Sequence, residues 1–175
     1  MGCDIHVYIE KRIDSQFPWE ADEGHSASIE EAGTPDEHTY VNSVSAAGRN
    51  YNLFAILANV RGCGLLYDVR GLPTDVSPLI KQAYNQWGVD GHTHSYLSLD
   101  EFKECLVAAQ YKLDRKKSSK AFFSWSEYND FKKSPPDYVT IVNYCENWID
   151  KIKEEDFLGI DEYRPEVRIV FWFDN

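Results

Sequence analysis

A chain of 175 residues with 43% apolar and 14% aromatic side chains can bury a sizeable core, which excludes a disordered chain and fits one domain spanning 1–175. The formal charge of −11, from 29 acidic and 18 basic residues, opposes phosphate backbones and anionic bilayers, so non-specific nucleic-acid binding is not expected. No run of about 18 apolar residues occurs, and residues 1–6 carry neither a basic nor an apolar leader region, so the expected setting is the cytoplasm with no membrane contact.

Residues 4–12, DIHVYIEKR, are rich in β-branched and aromatic side chains and alternate as a strand does. Ile5, Val7 and Ile9 then share one face, and Asp4, His6 and Tyr8 share the other. Between Arg12 and Arg49 no Lys or Arg occurs, while Asp14, Glu20, Asp22, Glu23, Glu30, Glu31, Asp36 and Glu37 accumulate. Apart from a short strand near 17–20, residues 13–48 read as a long acidic loop or insertion, of a length that suits a cover or a docking surface.

Leu53, Phe54, Ile56, Leu57 and Val60 follow helical spacing that stops at Gly62 and Gly64. A small strand is expected over 65–69 and a turn at Gly71-Leu72-Pro73. Ser77-Pro78 supplies an N-cap and a first-turn proline for a helix reaching Trp87, which Gly88 ends. A loop follows with Asp90-Gly91-His92-Thr93-His94-Ser95. Ser98 and Glu101 then form a capping box for a helix whose stripe is Leu99, Phe102, Leu106, Ala109 and Leu113. Lys112, Arg115, Lys116, Lys117 and Lys120 make one basic, solvated stretch.

A helix over 126–132 precedes the break at Pro135-Pro136. Tyr138, Ile141, Cys145, Trp148 and Ile152 mark another, and VRIVFWFD at 167–174 closes the chain as a strand. The expected fold is α+β: a small, mainly antiparallel sheet that includes the N- and C-terminal strands, with four to five helices packed on one face and the long acidic loop outside. Cys3, Cys63, Cys105 and Cys145 form no C-x-x-C pair, which argues against a zinc ribbon or a disulfide scaffold and places Cys105 and Cys145 in the core.

The chemistry gathers in two histidine and aspartate clusters. A D-x-H on a strand holds both side chains on one face about 7 Å apart at Cα, close enough for Asp4 and His6 to share one metal ion. An extended H-x-H does the same for His92 and His94. Imidazole with carboxylate suits a divalent metal, zinc or manganese, and Asp90 or Asp174 would complete the site or act as its base. Otherwise His6 is an ordinary sheet residue, and His92 and His94 are loop residues bonded to backbone carbonyls. Arg49, Tyr51, Arg61 and Arg70 offer a second group, in which guanidinium forks at helix starts and Gly/Pro turns would hold an anionic substrate. The chain has no P-loop, G-x-G-x-x-G, G-x-S-x-G or H-E-x-x-H, so the activities those motifs support are not indicated.

MGCDIH at the start, RNYNLFAILANVR at 49–61, RGLPTDVS at 70–77 and DGHTHSYL at 90–97 resemble a family of small proteins from tailed bacteriophages and prophages. The resemblance covers scattered blocks over the first hundred residues and brings no established activity. It implies expression inside a bacterial host cell and an accessory role in infection rather than a part of the virion. Two functions are expected on these grounds. One is a metal-dependent hydrolase, such as a phosphodiesterase, acting on a small phosphorylated or nucleotide compound. The other is a non-catalytic anti-defence effector that sequesters a signalling nucleotide or binds a host defence protein through its acidic surface.

Overall fold

The computed structural model describes residues 4–22, 50–60, 64–117, 137–154 and 163–174. In chain order these form β1 (Asp4–Arg12), β2 (Glu20–Ala21), α1 (Tyr51–Ala58), α2 (Pro78–Trp87), β3 (His92–Ser98), α3 (Leu99–Lys117), α4 (Asp137–Glu154) and β4 (Glu166–Asp174). The fold is α+β. Its four strands run in the order β2-β1-β4-β3, and every neighbouring pair is antiparallel. The last strand thus lies inside the sheet, paired with β1 from Asp4↔Asp174 to Arg12↔Glu166.

The alternation of β1 decides what lies on each face. Ile5, Val7 and Ile9 join Val167, Ile169, Phe171 and Phe173 in the larger core, built against Leu53, Phe54 and Leu57 of α1, Phe102 and Leu106 of α3, and Ile141 and Cys145 of α4. Tyr8, Val170 and Trp172 point the other way and meet Ile80 and Ala83 of α2. The expectation of helices on one face is therefore corrected, because α2 covers the second face. Residues 167–173 of β4 are buried throughout, which explains why that strand reads as an unbroken apolar run.

Local chemistry sets the helix ends. Asn50 caps α1 by accepting the Leu53 N–H through its side chain, and Asn59, left-handed at φ 55°, ends it before the expected Gly62. The capping box is formed in both directions: Ser98 Oγ accepts the Glu101 N–H at 3.2 Å, and Glu101 Oε2 accepts the Ser98 N–H at 2.9 Å. Residues 65–69 are irregular rather than a strand, and Leu66 donates its N–H to the Ile56 carbonyl at the end of α1. The expected helix over 126–132 and most of the acidic loop lie outside the described residues, as do Arg49 and Arg61.

Cys105 and Cys145 are fully buried, and that burial pushes both thiols up to about 12, so they act as core residues. Among the described residues no helix is long and apolar enough to cross a membrane.

Candidate functional site

Antiparallel pairing brings the start of β1 beside the end of β4. The Asp4 N–H donates to Asp174 Oδ1 at 3.2 Å, and Asp174 Oδ2 lies 3.3 Å from His6 Nε2. One carboxylate thus ties the β1 backbone through one oxygen and lies beside an imidazole with the other. The Trp87 ring at the end of α2 lies 4.0 Å from the His6 ring, and Trp172 lies 6.3 Å away on the neighbouring strand. With side chains 15% and 22% exposed, His6 and Asp174 are sheltered yet still reach solvent. Beneath them Tyr8 stacks on Trp172 at 4.5 Å and accepts a hydrogen bond from the Trp87 side chain, while burial raises its hydroxyl pKa.

On β3 the pairing shifts by one residue between His92↔Phe173 and Ser95↔Phe171. Thr93, at φ 54°, absorbs the extra residue in this bulge. Strand alternation fails there, so the two histidines part. His92 stacks on Phe173 of the larger core at 6.3 Å, whereas His94 packs on Trp172 at 5.6 Å and edge-on to Tyr84 of α2 at 4.7 Å. The bulge thus breaks the regular alternation on which the H-x-H spacing argument relies.

Burial, followed by the charge of nearby His92, lowers the pKa of His94 below its ordinary value and keeps the ring neutral at pH 7. Its Nε2 is buried without a hydrogen-bond partner, and so is Nε1 of the fully buried Trp172. Gly91 lets the chain pass close by: a Cβ there would stand 3.2 Å from His94 Nε2, 3.3 Å from Trp87 Cβ and 3.4 Å from Trp172 Cδ1.

Asp4, His6, Asp174 and His94 therefore lie at one end of the sheet on the α2 face, with the Trp172 indole of β4 between His6 of β1 and His94 of β3. The other expected residues lie elsewhere. Asp90 is exposed in the turn after α2, and Tyr51 packs edge-on to Phe54 at 5.6 Å on the opposite side of the sheet. Arg70 gives its guanidinium to both oxygens of Glu101 and to the Tyr96 carbonyl, away from the histidines. Among the described residues no three His, Cys, Asp or Glu side chains are placed to hold a metal ion.

The opposite end of the sheet opens into a groove of about 1050 Å³, which sequence reasoning missed. The Arg12 and Arg168 guanidinium carbons lie 4.3 and 4.2 Å from the Trp19 ring, and Arg168 and Arg70 lie 5.6 and 5.5 Å from the Tyr96 ring. Arg12 binds Glu166, and Arg168 binds Asp75 through both its carboxylate and its carbonyl. Behind this wall Glu10, with no exposed surface, accepts from the Arg168 Nε and from the Ser77 N–H that opens α2. The advance signals were Arg70, which the sequence already offers as an anion holder and which lines the groove, and the opposite charges Glu10 and Arg168 among the apolar residues of β1 and β4. No protein-family model, curated protein or solved structure matches this chain.

Proposed function

We propose that this chain is a phage accessory hydrolase that cleaves a small phosphorylated or nucleotide compound at the end of the sheet that carries His6, Asp174 and His94. The observation that carries the reading is the 3.3 Å approach of Asp174 Oδ2 to His6 Nε2 on the face that also holds His94. Hydrolysis of a phosphodiester needs one group to take a proton from water and another to return one to the leaving oxygen. His94, kept neutral by burial and with Nε2 uncommitted, serves as the base. His6 returns the proton, and Asp174 fixes its ring and tautomer.

A divalent ion, zinc or manganese, would draw on the Asp4 and Asp174 carboxylates and would polarise the phosphoryl oxygens, leaving the two imidazoles to move protons. Among the described residues no three His, Cys, Asp or Glu side chains are placed to hold such an ion, so the proton transfers rest on His94 and His6. The bacteriophage setting rests on the blocks at 1–6, 49–61, 70–77 and 90–97.

The test compares His94→Ala, Asp174→Asn and His92→Ala in turnover of a chromogenic phosphodiester, with and without added zinc or manganese. Loss of acid–base assistance in the first two should cost about 100-fold or more. His92→Ala, altering a ring on the other face, should stay within about threefold, a change of the order of RT. Equal losses at His92 and His94, or no turnover with either metal, would overturn the proposal.

A further inference from the structure

The groove at the far end of the sheet is a second site, and we propose that it takes a small anion bearing two or more phosphate or carboxylate groups, whose seats Glu166 and Asp75 now fill. This holds whether or not the histidine end turns over a substrate. Five cations line the groove: Arg12, Arg70, Lys103, Lys153 and Arg168. Two of the guanidiniums are held by aromatic rings and by the sheet itself, with side chains only 19% exposed at Arg12 and 8% at Arg168. Their carboxylate partners lie further out, Glu166 at 40% and Asp75 at 59% exposure.

Fixed donors facing movable acceptors favour exchange. An exposed carboxylate leaves such a pair at little cost, and a phosphate oxygen gains the same charge-assisted bonds with more negative charge. The two seats are distinct. Arg12 Nε and Nη2 converge on one Glu166 oxygen, while Arg168 Nη1 and the Trp19 side chain converge on Asp75. A ligand with a single anionic group fills one seat, and filling both requires two. Six carboxylates line the groove, so once Glu166 and Asp75 swing outward the five cations face only four, and the local field turns positive. Glu101 stays in place, because it also accepts the Ser98 N–H at the start of α3.

The test is calorimetric titration of the full chain at low salt with tripolyphosphate, inorganic phosphate and spermidine. Tripolyphosphate should bind about tenfold or more tighter than phosphate, as expected when a second charge-assisted contact is added. Glu166→Gln and Asp75→Asn, which remove competing charge, should each tighten it several-fold, whereas Arg12→Gln should weaken it about tenfold. Asp90→Asn, at the other end of the sheet, should leave it unchanged. Spermidine binding more tightly than tripolyphosphate, weaker binding in Glu166→Gln, or equal tightening in Asp90→Asn would each overturn the proposal. Thermal melts of all four variants establish that they fold, and if Arg12→Gln does not, the two carboxylate variants still decide.

Discussion

His92 and His94 have the same side chain and stand two positions apart, yet their surroundings make them different groups. Only His94 sits against the α2 face, where burial lowers its pKa below the ordinary 6.5. The consequence for stability has a definite sign. As the pH falls through 6.5 the unfolded chain takes up the proton first, so stability present above that value declines until the folded ring protonates as well, and then levels off. Urea midpoints between pH 7.5 and 5.5 should show this loss in the native chain and much less of it in His94→Gln. An equal slope in both would mean that another group dominates the window. The ion-paired carboxylates Asp75 and Glu101 have lowered pKa values and act at lower pH, losing their contribution as the pH falls below 3.8 and 4.5 respectively. Gly91 tests the same packing sterically. Gly91→Ala brings a methyl against two fixed indole-bearing residues and the His94 ring, and should destabilise the fold by about 1–2 kcal/mol in the same measurement.

The elements that alternate or carry caps could be read from the sequence, and those that depend on partners could not. β1 and β4 follow from their β-branched and aromatic runs, α3 from its capping box and α2 from Ser77-Pro78. β3 was read as a loop, because the stretch from His92 to Ser95 has no apolar alternation and pairs only through β4. The bulge at Thr93 is likewise a product of register, so the separation of the two histidines was hidden even though their spacing was plain. The groove was hidden for a related reason, since Arg12, Trp19 and Arg168 come from three segments that only the folded sheet brings together.

That sheet is tied to α2 by Glu10, Arg168 and the Ser77 N–H, a buried charged strut running from the strands to the helix start, with the exposed Asp75 at its outer edge. Removing one partner strands the other charge in the interior. Glu10→Ala should therefore cost about 3–5 kcal/mol, whereas Glu10→Leu combined with Arg168→Met should recover most of that loss. A denaturant double-mutant cycle measures the coupling, and simple additivity of the two changes would show that the pair acts independently.

The order β2-β1-β4-β3 places the last strand between the first and third, so the central β1·β4 ladder joins residues separated by most of the sequence. A sheet of this kind forms its main pairing only after the longest loop has closed, which slows folding without weakening the folded state. The geometry suggests how to shorten that search, because Asp4 and Asp174 are already cross-strand partners, with the Asp4 N–H 3.2 Å from the Asp174 carboxylate. A circular permutant would join the two ends through a short Gly/Ser linker and open the chain between Leu65 and Leu66, both exposed and in irregular backbone. In it β1 and β4 become a local hairpin. Stopped-flow chevrons should show refolding about tenfold faster as contact order drops, with an unfolding rate little changed. Refolding at the native rate would show that the β1·β4 ladder forms after the rate-limiting step, and would place that step instead in the packing of α1, α3 and α4 against the larger core.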